Sequence, residues 1–170
     1  MFSTLNFGCA SYATKYKLQR LYLRNMYTFI KRTVPPASMG IFDASNRDQC
    51  EVKRQNTNTP LQALAMMNDP MVLEAARVLA AKLLQEKGTE QEKINKAFRL
   101  IVCRKPIEKE SQLLTELYNW RLQNLNPKTA TKLLAVGEYP ISKNTNKNKL
   151  VALMQVIVNI YNLEETITKT

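Results

Sequence analysis

The chain has 170 residues, a length that suits one domain of ordinary size. Its net charge is +11, and its 45% hydrophobic residues are enough for a real core. It contains no histidine, which excludes a Ser-His-Asp triad, a Cys-His dyad, a histidine-ligated metal and a CxxCH haem attachment within these residues.

The basic excess sits at the ends. Residues 1–60 carry nine basic and three acidic side chains, and residues 121–170 carry seven and three. The middle is nearly balanced, at nine and eight. Such ends attract polyanions or simply keep the surface solvated. The cysteines, Cys9, Cys50 and Cys103, form neither a zinc pattern nor a disulfide framework. No apolar run reaches the length of a transmembrane helix. The start, "MFSTLNFGCASYATKYK", lacks the basic and apolar regions of a signal peptide.

Residues 1–17 show no clear period and read as an atypical, disordered start, with a helical domain over 18–170. From Leu18 the apolar residues Leu21, Tyr22, Met26 and Phe29 follow helical steps until Val34-Pro35-Pro36 ends them. Residues 35–58 read as a long ordered loop, rich in the turn formers Asp43, Ser45, Asn46 and Asp48. Thr59 then caps a helix opened by Pro60, and Gln62 completes a capping box. Leu61, Leu64, Ala65 and Met67 make that short helix apolar. Asp69 caps the next helix and Pro70 opens it. It is expected to run to about Lys87 and stop at Gly88, with a stripe of Val72, Ala75, Ala76, Leu79 and Leu83. Leu73, Ala80 and Leu84 widen the stripe.

Thr89 and Glu92 form a second capping box. Ile94, Ala97, Phe98, Ile101 and Val102 give the helix behind it an amphipathic face, closed by Arg104-Lys105-Pro106. Residues 107–125 predict another helix, with Leu113, Leu114, Leu117, Tyr118, Trp120 and Leu122 inward. Asn126-Pro127 starts a short helix that ends at Gly137. "EYPISKNTNKNK" is a polar loop. "KLVALMQVIVNIYNLEE" is apolar nearly all round and is expected in the core. The result is an all-α fold, a compact bundle of about six or seven helices with one long ordered loop.

The candidate ligand-binding residues are Asp43, Arg47, Cys50, Lys53, Arg54, Asn58, Thr59, Asn68 and Asp69. An acid beside arginines orients a polar ligand, and arginine grips carboxylate, sulfate or phosphate in two-pronged fashion. The helix start at Thr59-Pro60 adds partial positive charge. The same residues serve equally as structure, with Asp43 paired to Arg47 and Thr59, Gln62 and Asp69 acting only as caps. Cys50 is either a redox thiol beside Lys53 and Arg54 or a small buried hydrophobe. Met66, Met67, Met71 and Met154 fit core packing better than haem ligation. Glu164 and Glu165 are adjacent at a helix end and make no glycosidase dyad.

The stretch "LYLRNMYTFIKRTVPPASMGIFDASNRDQCEVKRQNTNTPLQALAMMNDP" resembles the C-terminal part of the planctomycete-type, cytochrome-c-associated family called domain of unknown function 1553. The matching residues are Tyr27 to Phe29, Lys31 to Pro36, Phe42-Asp43, Arg47, Cys50, Lys53-Arg54, Thr57 to Leu64 and Asn68 to Pro70. "AFRLIVCRKP", "LLAVGEYP" and "NIYNLEETITK" extend the resemblance, which runs from about Leu21 to Lys169. Ile30 replaces a usual aromatic and Ala37 a common third proline. Residues 1–17 do not resemble the family.

The resemblance implies a C-terminal fragment of a larger protein of the periplasm or cell envelope, in bacteria that degrade complex polysaccharides. It implies no established activity and no cofactor in this chain; haem c would belong to an upstream module. The expected role is a non-catalytic helical accessory or interaction module. One alternative is part of an enzyme domain whose catalytic residues lie upstream. Another is a basic module that binds a polyanion such as sulfated polysaccharide, with nucleic acid not expected.

Overall fold

A computed structural model describes residues 37–44, 52–53, 57–137, 139–140 and 146–168. The helix expected from Leu18 and the expected boundary at residue 17 lie outside these residues. Among the described residues the fold is entirely helical, with eight helices.

Helix α1 (Ala37–Ile41) is a single turn inside the segment expected to be loop. Helix α2 (Pro60–Asn68) starts as its sequence dictates. Thr59 N–H donates to Gln62 Oε1 at 3.1 Å, and Gln62 N–H donates to Thr59 Oγ1 at 3.4 Å. Helix α3 (Pro70–Gln85) opens on Pro70, with the Asp69 carboxylate accepting from the Met71 N–H at 2.8 Å. It ends before the expected stop at Gly88, because Glu86 already leaves helical conformation. Gly88 (φ 141) instead shapes the turn into helix α4 (Glu90–Val102). Thr89 and Glu92 close the second capping box there.

Helix α4 stops at Cys103, a non-glycine residue in the left-handed region (φ 64). Helix α5 (Glu108–Gln123) follows, with Glu110 reaching back to accept from the Ile107 N–H at 2.8 Å. Asn126 and Pro127 start helix α6 (Pro127–Leu134). Helix α7 (Lys147–Tyr161) is the expected core helix, and helix α8 (Glu164–Ile167) is a short turn after it. The sequence pattern ran these two together; the chain breaks at Asn162 and Leu163. The two single-turn helices, α1 and α8, account for the count exceeding the expectation.

Helix α7 is central. It packs against α2, α3, α4, α5, α6 and α8. This explains why nine of its residues, from Leu150 to Ile160, are buried, with only half-buried Gln155 and Asn159 as a narrow polar side. Around it sit Ala76, Ala80 and Leu83 of α3, Ile94, Ala97 and Phe98 of α4, Tyr118 of α5 and Leu134 of α6. Each large apolar side chain fully removed from water contributes about 1.5–3 kcal/mol.

Two apolar patterns differ from expectation. On α5, Leu113 (64% exposed), Trp120 (53%) and Leu122 (37%) face solvent instead of the core. Tyr118 and half-buried Leu114 and Leu117 supply the inward face. Six apolar residues over ten positions cannot all share one stripe of about 100°, and contact with α7 selects the face holding Tyr118. On α3, Ala75 is exposed, whereas the buried row is Glu74, Ala76, Arg77, Ala80 and Leu83. Of the methionines expected in the core, Met154 is buried and Met66 half-buried, but Met67 and Met71 are exposed.

Candidate functional site

Asp43 is the candidate residue around which other groups gather. It lies just past α1 in the left-handed region (φ 52), a conformation Asp tolerates better than most residues. Its Oδ2 accepts from the Thr57 N–H at 2.8 Å and from the Thr57 hydroxyl at 2.6 Å. Gln62 Nε2 donates to the same oxygen at 3.4 Å, to the Thr57 hydroxyl at 3.2 Å and to the Ile41 carbonyl at 2.8 Å. Gln62 is only 1% exposed. The glutamine therefore has two jobs. Its Oε1 caps α2, and its amide nitrogen ties that helix to the end of α1. Buried polar groups must find such partners, and this clasp supplies them.

The other described candidates do not converge on it. Thr59 caps α2. Asn68 stands at the opposite end of that helix and donates to its own Leu64 carbonyl at 2.9 Å. Asp69 caps α3. Asn58 and Lys53 are exposed. Arg47, Cys50 and Arg54 lie outside the described residues, and with them the expected Asp43–Arg47 pair. Thr57 and Gln62, which complete the clasp, were not among the candidates.

A second polar cluster was missed altogether. Glu74 (2% exposed) and Arg77 (3%) stand one turn apart on the buried side of α3, with Arg77 Nη2 3.5 Å from Glu74 Oε1. Together they hold one residue of the segment between α6 and α7 by both backbone groups. The Tyr139 N–H donates to Glu74 Oε1, and Arg77 Nη2 donates to the Tyr139 carbonyl at 2.8 Å. Gly137 (φ 87) lets the chain reach this clamp. A Cβ there would stand 2.4 Å from Glu74 Cδ. Arg77 Nε is buried and makes no hydrogen bond among the described residues. Beside the clamp is a cavity of about 370 Å³, with Arg77, Lys82 and Tyr139 on its wall. The sequence held one signal for the clamp: Arg77 falls in register with Ala76, Ala80 and Leu83, so the core stripe contains a charge.

The third cluster ties the end of the chain to the bundle. The Arg104 guanidinium donates to Glu110 at 2.7 and 2.8 Å and to Glu165 at 2.8 and 3.0 Å. It also lies over the Phe98 ring, 4.9 Å from its centroid. The hydrogen bonds from Arg104, with help from the Ile107 N–H, hold the Glu110 carboxyl down at about 2. Arg104 lowers Glu165 in the same way, and both acids raise Arg104. Burial pushes the Tyr118 hydroxyl up to about 12, with the Glu90 charge adding to it. Burial also raises Tyr161. Each of these groups moves away from neutral pH, opposite to the tuning that acid–base catalysis needs. Among the described residues, no group of three or more Cys, Asp or Glu side chains is placed to hold a metal ion.

A family model described as "PSD1: Protein of unknown function (DUF1553)" matches residues 6–118. The match takes in residues 6–17, which the sequence pattern sets outside the family, and ends within α5, short of the Lys169 to which the resemblance extends. Neither the curated proteins nor the solved structures include a match to the chain.

Proposed function

The chain belongs to the DUF1553 family of proteins of unknown function, and from that premise we propose that it is a non-catalytic helical interaction module. In this reading it serves a larger cell-envelope protein that works with cytochrome-c-like modules in bacteria living on complex polysaccharides. The observation that carries the proposal lies between Thr57 and Asp69. Four polar side chains there are engaged in holding the fold: Thr57 and Gln62 in the clasp, Thr59, Gln62 and Asp69 in caps. Large apolar side chains, Leu61, Leu64 and Met67, are left at the surface of α2, with Asn68 at its end. A helix that spends its polar groups internally and shows apolar ones outward suits a contact surface better than a reaction centre. The pKa shifts away from neutrality support the same reading.

A photo-crosslinking amino acid at Leu64, introduced in the cells that make the protein, tests it. The expected result is an envelope adduct that stains for covalent haem, with no such adduct from a crosslinker at exposed Lys128. Haem-staining adducts from both positions alike, or from neither, contradict the proposal.

A further inference from the structure

We propose that the cavity beside the Glu74–Arg77 clamp binds a small organic monoanion, a carboxylate carried on an apolar body. The volume, about 370 Å³, falls within the roughly 300–1,000 Å³ range of small-molecule sites. Three features of the wall specify the ligand. Its charged side chains among the described residues, Arg77 and Lys82, are both cationic. Glu74 pairs with Arg77 from outside the wall, so among the described residues Lys82 is the wall cation that an anion would meet. The rest of the wall includes Val78, Ala81 and Pro140, which favour an apolar body over a hydrated ion. Gln85, one turn beyond Ala81 on the same face of α3, adds an amide at the rim.

The wall is also held in place. Arg77 donates to the Tyr139 carbonyl and pairs with Glu74 inside the protein, so its guanidinium is fixed before any ligand arrives. Fixed donors lose little freedom on binding. The buried Arg77 Nε has no acceptor among the described residues, so the guanidinium keeps hydrogen-bonding capacity unspent. Lys82 is exposed and supplies the mobile half of the recognition.

The test is an NMR titration of the full isotope-labelled chain at low salt, with benzoate as the probe and benzyl alcohol as its uncharged counterpart. Benzoate, at up to about 50 mM, where even mM binders saturate, is expected to shift the amides of Ala81, Lys82, Gln85 and Tyr139 saturably. Benzyl alcohol is expected to do so at least about tenfold more weakly. Lys82→Ala and Gln85→Glu both change exposed side chains, so the fold survives them. Each is expected to weaken benzoate by about two- to fivefold, the scale of one exposed charge contact. No saturable shift at these amides overturns the proposal. Equal binding of the two probes, or binding indifferent to both variants, overturns it as well.

Discussion

Gln62 carries a cap and a clasp in one side chain. Glutamate at this position keeps the cap and loses the clasp, because it places a second carboxylate against Asp43. Gln62→Glu is therefore expected to lose on the order of 3 kcal/mol at neutral pH by urea unfolding, from an unmet buried acceptor and like-charge repulsion. Cys103 shows the opposite sign. It occupies a left-handed position at the end of α4 and is exposed. Glycine there removes the backbone strain, and Cys103→Gly is expected to gain about 0.5–1 kcal/mol in the same measurement. What was legible at this scale was local. Both capping boxes, Thr59 with Gln62 and Thr89 with Glu92, depend on residues three apart. The clasp spans 14 residues from Asp43 to Thr57 and the clamp 65 from Glu74 to Tyr139. No periodicity connects groups so far apart in the chain.

At the scale of elements, α3 shows how a charge pair enters a core stripe. Glu74 and Arg77 are buried because the segment after α6 needs partners for its backbone, and their own charges are met by each other and by that backbone. Arg77→Ala removes the cation 3.5 Å from Glu74 and the donor to the Tyr139 carbonyl, so it is expected to cost about 3–5 kcal/mol. Gly137→Ala brings a Cβ into the Glu74 side chain and strains the backbone at φ 87. It is expected to cost about 2–4 kcal/mol in thermal unfolding, with Tyr139 released from the clamp. Helix existence and type were legible here, since Pro, Thr, Asp and Asn mark every start from α2 to α4 and again at α6. The facing of α5 was not. Its apolar residues surround the helix, and only packing against α7 decides that Tyr118 turns in while Leu113 and Trp120 turn out.

At the scale of the whole molecule, α7 is the element the others are built on. Ile157→Ala, in its fully buried centre, is expected to lose about 2–5 kcal/mol. The Arg104 cluster makes stability depend on acid. Glu110 titrates at about 2 when folded, against 4.5 in its ordinary state. Its contribution is present above about pH 4.5 and is lost as pH falls toward 2. Glu110→Gln is expected to flatten this part of the pH–stability curve, and added salt to shrink it, because the cluster is partly exposed. That the last helix belongs in the core was legible, because it is apolar nearly all round.

The central claim is that Asp43, Thr57, Thr59, Gln62 and Asp69 spend their polar groups on the fold. A double-mutant cycle on Asp43→Asn and Thr57→Val, read by equilibrium urea unfolding of the full chain, tests it most directly. The account predicts a coupling energy of at least about 1 kcal/mol, the worth of a charge-assisted buried hydrogen bond. A coupling below about 0.3 kcal/mol, with each single variant as stable as the parent, would contradict it and return Asp43 and Thr57 to the role of ligand-binding groups.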